Sequence, residues 1–141
     1  MIFRAPISLQ ELNRLSENTL ISHLGIVFTA AGDDWLQATM PVDERTRQPY
    51  GLLHGGASVA LAETLGSSAG NLCVDHTRQI CVGLEINANH MRAMREGVVT
   101  GTARALHIGR STQVWEIRME NEAAQPVCVS RLTLAVVART A

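Results

Sequence analysis

The 141-residue sequence predicts one α+β domain in which a long helix packs into an antiparallel sheet of about six strands. Three observations support this fold class. One segment of about twenty residues has a helical composition, six segments have the composition or the alternation of strands, and short turns separate the last four strands. Short turns join antiparallel neighbours. Since we find no internal repeat or linker, we expect residues 1–141 to form a single domain.

The N-terminal part predicts a short helix followed by a hairpin. Residues 8–17 have Leu at helical spacing, with Ser8 as an N-cap and Glu11 three residues later. Residues 25–31 are strand-like, and 32–34 (Gly-Asp-Asp) form a turn of the hairpin type. The next strand alternates, with Leu36, Ala38, Met40 and Val42 on one face. Pro41 and Pro49 then bracket a polar loop.

Residues 55–74 carry the strongest helical signal in the chain. Their length and their lack of β-branched runs favour a helix, although four glycines weaken it. Gly, Ala and Ser fill most positions, so the helix is slender. A slender apolar helix suits an environment in which other backbone approaches it closely, as inside a curved sheet.

The remainder of the chain predicts four strands. In the first, Ile80, Val82, Leu84, Ile86 and Ala88 alternate with the intervening residues. Residues 97–106, 112–119 and 127–137 are rich in β-branched residues, with turns at Gly109 and at 121–126.

Composition and charge exclude several functions. The net charge is −1 at a pI near 6.5, which argues against nucleic-acid binding. All 12 basic residues are Arg, which excludes a Schiff-base or P-loop lysine and assigns any phosphate contact by a cation to Arg. We expect no membrane association and a cytoplasmic location, because no apolar stretch approaches about 20 residues and no signal peptide opens the chain.

Cys73, Cys81 and Cys128 are expected to be free buried thiols. Cys73, His76 and Cys81 lack a fourth ligand at suitable spacing, so we expect no metal.

Glu63 is the foremost candidate for a catalytic residue. It sits mid-helix among Ala and Leu, on a helix with almost no other polar side chains, and a carboxylate in such surroundings is costly unless it is paired or exposed. The alternative is a solvent-facing glutamate. Ser67 lies one turn later on the same face and either orients a water or substrate oxygen or simply packs.

His54, Gly55 and Gly56 precede or begin the same helix. The first N–H groups of a helix are unpaired, and glycine allows a carbonyl oxygen to approach them, as an oxyanion hole requires. A plain chain turn is the alternative. Gly55 and Glu63 are eight residues apart, about 12 Å along the helix. If both act on one carbonyl, the site must combine two subunits, which predicts a homodimer with an isologous interface.

Other histidines and motifs carry less information. His90 and His107 each end a strand beside Arg-bearing residues, and together they are a candidate anionic site, although each is by itself an ordinary strand-end residue. We expect His23 and His76 at the surface. No G-x-S-x-G, G-x-G-x-x-G or Walker motif is present.

The chain resembles the hotdog-fold thioesterases from nearly end to end. The likeness rests on QPYGLLHGGAS at 48–58, LAETLGS at 61–67, the GDD turn, MPVD at 40–43, EINANH at 85–90, LHIG at 106–109 and SRLT at 130–133. It is closest to the bacterial branch that hydrolyses 1,4-dihydroxy-2-naphthoyl-CoA and proofreads the enterobactin synthetase. The resemblance implies a long helix wrapped by the sheet, dimers, and tetramers built from two dimers.

The resemblance also implies roles for individual residues. Glu63 would be the base or nucleophile, the partner subunit would supply Gln48, His54 and the Gly55 N–H near the thioester carbonyl, and Ser67 would support substrate or water. Residues matching places where the family holds the CoA arm are Gly83, His90, Met91, Arg92, Ala93, His107, Ile108, Gly109, Arg110, Ser111 and Thr112. Ser68 departs from the family, whose members carry a larger apolar residue there. If Ser68 lines the acyl pocket, that pocket is roomier or more polar.

We therefore expect a thioesterase acting on acyl-CoA, with an aromatic acyl group such as dihydroxynaphthoyl or hydroxybenzoyl, or on a carrier-protein thioester, without any cofactor. Glu63 either attacks the carbonyl or activates water. The alternatives are a hotdog acyl-thioester dehydratase or hydratase and a non-catalytic acyl-CoA-binding module.

Overall fold

The structure, a computed structural model, describes residues 1–140 and contains one antiparallel sheet of six strands in the order β1-β2-β4-β5-β6-β3. The α+β class and the strand number are thus confirmed. The helices and strands, in chain order, are α1 (Leu9–Leu15), α2 (Leu20–His23), β1 (Val27–Ala31), β2 (Trp35–Pro41), α3 (Gly55–Leu72), β3 (Gln79–His90), β4 (Val98–Ile108), β5 (Thr112–Glu120) and β6 (Pro126–Ala138).

The N-terminal helix is confirmed, together with its cap, but a second helix was missed. Ser8 Oγ accepts a hydrogen bond from the Glu11 N–H and so begins α1. Helix α2 has only four residues, begun by Thr19, whose hydroxyl accepts from the Ile21 N–H. One turn is too short to show helical periodicity, which explains the omission.

Helix α3 forms the centre of the molecule and is as slender as predicted. It packs against β2 through β6, and its Leu61 and Leu65 are fully buried. A Cβ placed on Gly66 would stand 2.5 Å from Leu132 Cδ2 of β6, so glycine is required for this approach. The small residues of α3 therefore allow the sheet to lie close to the helix.

Strand β3 does not keep the single alternation expected for residues 80–88. Its pairing with β6 shifts between Gly83 and Glu85, where a bulge inserts one extra residue. Cys81 is consequently buried before the bulge, whereas Val82 and Leu84 are exposed. The bulge reverses which alternate residues face inward, a change that hydropathy alone does not reveal.

The two edges of the sheet differ. At the β1 edge, the Asn13 side chain donates to the Phe28 carbonyl at 3.0 Å and accepts from the Phe28 N–H at 2.9 Å, so α1 covers that edge. At the β3 edge, Asn71 makes the same pair of bonds to Cys81, at 3.2 and 2.9 Å. Beyond Cys81, β3 pairs only with β6 within residues 1–140. Most of β3 is therefore an open edge.

The three cysteines are free thiols, as expected, but Cys73 is only half-buried rather than buried. Burial raises the pKa of Cys73 to about 11 and raises those of Cys81 and Cys128 as well. In the part of the chain that the structure describes, no helix has both the length and the hydropathy needed to cross a membrane. Nor does any group of three or more His, Cys, Asp or Glu side chains among residues 1–140 meet at a possible metal site.

Candidate active site

The start of α3 presents an unpaired backbone N–H. His54 is the N-cap, and its Nδ1 accepts a hydrogen bond from the Gly56 N–H at 2.7 Å. A neutral imidazole that accepts at Nδ1 carries its proton on Nε2, which is left available as a donor. Within residues 1–140, nothing accepts a hydrogen bond from the Gly55 N–H. The first turn of α3 therefore offers the Gly55 N–H, favoured by the helix dipole, to an external oxygen.

Gln48 lines the same cavity as this N–H, and its amide orientation is set by a hydrogen bond. The loop from Arg47 to Leu53 closes on itself by a β-bridge between these two residues. The Gln48 Oε1 accepts a hydrogen bond from the Tyr50 N–H. Because its oxygen is engaged, the Gln48 amide has its NH₂ group free to donate.

Gln48, Gly55, Ser58 and the segment 90–93 line one cavity of about 340 Å³, here termed the helix-start pocket. His90, the last residue of β3, lies directly against α3, since a Cβ placed on Gly55 would stand 2.9 Å from His90 Nε2. The structure thus brings the predicted residues Gln48, Gly55, His90, Met91, Arg92 and Ala93 together.

Glu63 lies in a separate groove between α3 and the bulge of β3. This groove, of about 440 Å³, is lined by Gly56, Val59, Ala60 and Glu63 on the helix and by residues 83–86 on the strand; we term it the Glu63 groove. Burial raises the pKa of the Glu63 carboxyl above its usual value. No Arg or His within residues 1–140 forms an ion pair with it. Gly83, predicted to hold substrate, lies beneath the Glu63 carboxylate.

The structure therefore keeps the two halves of the predicted site apart in a single chain. Gly55 lines the helix-start pocket and Glu63 lines the Glu63 groove, with no residue common to both. This agrees with the separation of about 12 Å expected from the helix rise.

Ser67 and Ser68 line a third cavity, the serine pocket, rather than the groove that holds Glu63. This cavity, of about 310 Å³, lies between α3 and the N-terminal helices, and its apolar walls include Leu12, Ile21 and Phe28. Ser67, one helical turn after Glu63 on α3, is the lining residue of this pocket that is nearest to Glu63 along the helix.

The two predicted anionic clusters do not meet within one chain. Residues 107–112 form the hairpin between β4 and β5, where the Gly109 N–H donates to the Thr112 carbonyl at 2.8 Å. Thr112 is opposite Ala135 of β6, whereas His90 is opposite Cys128. Seven residues of strand separate these positions, or about 23 Å. The single anionic site expected from His90 and His107 is thus not formed by one protomer, because the antiparallel order places them at opposite ends of the sheet.

Sequence reasoning missed Ser58, which lines the helix-start pocket and is only 2% exposed. A serine in a run of Gly, Ala and Ser resembles a small packing residue. Its position one helical turn after Gly55 was the one sequence feature that could have placed it beside the predicted oxyanion site.

Known proteins match this chain along nearly its whole length. Residues 50–128 match the family model described as Thioesterase superfamily. The chain is 52% identical to the 1,4-dihydroxy-2-naphthoyl-CoA hydrolase of Escherichia coli, covering 96% of this chain and 99% of that protein. It is 53% identical to the proofreading thioesterase EntH of Cronobacter sakazakii, covering 96% and 98% of the two chains.

A solved structure also matches the fold of the whole chain. The crystal structure of a mutant thioesterase from Pseudomonas aeruginosa superposes with a TM-score of 0.98 at 52% identity, over 99% of this chain and 100% of the other. The sequence relatives, the family model and the fold point to one assignment. The chain belongs to the thioesterase superfamily and is a thioester hydrolase of the hotdog fold.

Proposed function

We propose that this protein hydrolyses aromatic acyl-CoA esters, such as a dihydroxynaphthoyl or hydroxybenzoyl ester, or the corresponding carrier-protein thioesters, without a cofactor. The observation that carries the proposal is that one helix, α3, presents both an unpartnered Gly55 N–H and a partly buried Glu63 whose pKa is raised. The Escherichia coli relative is a 1,4-dihydroxy-2-naphthoyl-CoA hydrolase, which supports an aromatic acyl-CoA, and the Cronobacter sakazakii relative is a proofreading thioesterase, which supports a proofreading role.

In the proposed reaction, the Gly55 N–H and the Gln48 amide hold the thioester carbonyl oxygen, and His54 Nε2–H is a further donor nearby. Glu63 either adds to the carbonyl carbon or takes a proton from a water that adds. The carbonyl π pair moves to oxygen, then returns as the C–S bond breaks and its electron pair leaves on sulfur, which takes a proton. A direct attack forms a mixed anhydride with Glu63, which water then hydrolyses.

This reaction requires a second protomer, and the open β3 edge supports its position. In an isologous dimer each β3 pairs with the partner's β3, which brings two antiparallel copies of α3 side by side. Glu63 of one copy then approaches the helix start of the other. We propose this dimer as the catalytic unit, assembled into a tetramer in which residues 107–112 of a neighbouring protomer join the segment 90–93 in holding the CoA arm.

The serine pocket is a suitable place for the acyl group. Leu12, Ile21 and Phe28 give it apolar walls suited to an aromatic ring, whereas Ser67 and Ser68 place two hydroxyl groups on its α3 wall. An acyl ring bearing hydroxyl groups matches this combination better than a straight alkyl chain. Ser68 thereby favours a polar aromatic acyl group.

Thiol release from benzoyl-, hydroxybenzoyl-, naphthoyl-, phenylacetyl- and straight-chain CoA esters tests the substrate class, and the same acyl groups on a carrier protein test the thiol component. Hydroxylated aromatic esters should give the highest kcat/KM. Preference for straight-chain esters would contradict the aromatic assignment.

A single turnover in heavy-oxygen water tests for the anhydride route. Label in the Glu63 carboxylate demonstrates an anhydride that water opens at the Glu63 carbonyl, whereas label in the product acid alone shows that water attacked the acyl carbon, of either the thioester or the anhydride.

A further inference from the structure

Ser58 is the only buried polar residue within residues 1–140 whose side chain makes no hydrogen bond. The others bond as follows: Ser16 to the Leu12 carbonyl, Thr46 to the Pro41 carbonyl, Gln113 to the Gly70 carbonyl and to Trp115, and Ser130 to the Asn87 carbonyl. Buried polar side chains almost always have a hydrogen-bond partner, which is either the protein itself, ordered water or a ligand. Ser58 therefore calls for an explanation outside the packing of the chain.

The Ser58 hydroxyl does not take the partner usual for a helical serine. Ser and Thr within helices commonly donate to the carbonyl four residues back, as Ser16 does at 2.8 Å. The corresponding carbonyl for Ser58 is that of His54, which within residues 1–140 accepts only from the backbone N–H groups of Ala57 and Ser58. No unpaired side-chain oxygen among the described residues is completely sealed from solvent. The Ser58 oxygen therefore retains an opening, and the residue lines the helix-start pocket.

Helix geometry directs this hydroxyl toward the carbonyl site. Side chains of an α-helix lean toward its N-terminus and cover the preceding turn. The preceding turn begins at Gly55, whose N–H has no partner within residues 1–140. The Ser58 hydroxyl and the Gly55 N–H, neither of which has a hydrogen-bond partner within residues 1–140, therefore both lie at the same end of the helix-start pocket.

We propose that the Ser58 hydroxyl is a hydrogen-bond donor to the carbonyl oxygen of the bound thioester, beside the Gly55 N–H. This inference rests on the proposed function, since it uses the same oxyanion site. As the carbonyl π pair moves onto oxygen, the Ser58 O–H···O bond shortens and strengthens, and no proton is transferred. When the C–S bond breaks, the charge leaves on sulfur and the bond relaxes.

The test compares Ser58→Ala with Ser130→Ala. Loss of an oxyanion donor lowers kcat by about 10²–10³-fold in known cases, so Ser58→Ala should lower kcat by at least about tenfold with little change in KM. Its Tm should change little, because the Ser58 hydroxyl makes no hydrogen bond within the chain. Ser130→Ala breaks a bond of 2.7 Å to the Asn87 carbonyl, so its Tm should fall while kcat changes much less.

Each result is decisive. An unchanged kcat in Ser58→Ala overturns the role of Ser58, and so does a loss of kcat accompanied by a fall in Tm like that of Ser130→Ala. Gly55→Pro, which removes the backbone donor, separates the two proposals. If Gly55→Pro is inactive while Ser58→Ala is normal, only the Ser58 role fails. If both variants are normal, the oxyanion site of the proposed function fails as well.

Discussion

Glu63 Oε1 lies so close to Gly83 that a Cβ on that glycine would stand 2.5 Å from it. The carboxylate is thus held between α3 and the bulge of β3, where burial raises its pKa. Glycine at position 83 gives the carboxylate room, because a side chain there would collide with Glu63 Oε1.

Replacing Glu63 by Gln should abolish most of the hydrolysis. The amide neither attacks a carbonyl nor accepts a proton from water, so kcat should fall on the order of 10²–10⁴-fold, measured by thiol release. Glu85→Gln is the matched control, because Glu85 lines the same groove but is exposed and bonded to Asn87. Near-normal turnover by Glu63→Gln would remove the assignment of Glu63.

The raised pKa of Glu63 also predicts a dependence of stability on pH. A folded-state pKa above the unfolded value means that the contribution of this group to stability is complete below 4.5 and is lost as pH rises through the raised pKa. At neutral pH the ionised carboxylate therefore opposes folding. Thermal unfolding should show a higher Tm for Glu63→Gln than for the wild type at neutral pH, with the gap closing below the ordinary value of 4.5. A gap that is constant with pH would show that the carboxyl is not perturbed.

Gly55→Pro should remove the oxyanion donor without breaking α3. Proline lacks an N–H, and the first helical position tolerates it. The preceding residue, His54, already has the extended conformation that proline requires, with φ −67° and ψ 130°. We expect a loss of about 10²–10³-fold in kcat with an unchanged circular dichroism spectrum. Gly55→Ala retains the N–H and controls for the contact with His90.

Hybrid dimers test whether the site is shared. Neither Glu63→Gln nor Gly55→Pro chains are expected to be active alone, but a mixed dimer contains one site carrying both lesions and one carrying neither. Refolding equal amounts together should recover about one quarter of the wild-type activity, since half of the dimers are mixed. Absence of recovery, with mixed dimers demonstrated by tagged copurification, would place the complete site within one chain.

Ser68→Leu should shift acyl preference. The larger apolar side chain fills part of the serine pocket and removes a hydroxyl, so kcat/KM should fall for hydroxylated bicyclic esters by roughly 10-fold or more and change less for benzoyl-CoA. The measurement is the ratio of the two kcat/KM values. An unchanged ratio would show that the acyl group lies elsewhere.

Asn71→Ala should weaken the attachment of β3 to α3. Asn71 bonds both the N–H and the carbonyl of Cys81, so its loss leaves two backbone groups unpaired and should cost about 1–3 kcal/mol. Denaturant titration measures this difference. Asn87→Ala, whose side chain bonds only to the exposed Glu85, should change stability by less.

Local chemistry made much of the fold predictable. Ser8 was recognised as a cap because its hydroxyl and the N–H of Glu11 are three residues apart, and the 18 residues of α3 follow from their length and composition. The Gly-Asp-Asp turn and the alternation in β2 likewise depend on neighbours in sequence. Features determined within about a helical turn or a strand pair can be predicted from sequence.

What escaped prediction depends on residues distant in sequence. The bulge at Gly83 follows from the pairing of β3 with β6, some fifty residues later in the chain. The separation of His90 from His107 follows from strand order, and Ser58 is distinctive only because its buried hydroxyl makes no hydrogen bond within residues 1–140. The proximity of Gln48 and Gly55 followed from the family resemblance rather than from spacing, and the contact of His90 with the start of α3 was not predicted.

The coverage of β1 by Asn13 has a further consequence for self-association. If two copies join through β3, the twelve-stranded product ends at a β1 edge on either side, and there the amide of Asn13 already occupies the hydrogen-bonding groups of Phe28. A further strand that approached this edge would find the backbone groups of Phe28 unavailable. A single asparagine on a seven-residue helix thus makes the outer edge of the proposed dimer a poorer partner for strand addition than the β3 edge.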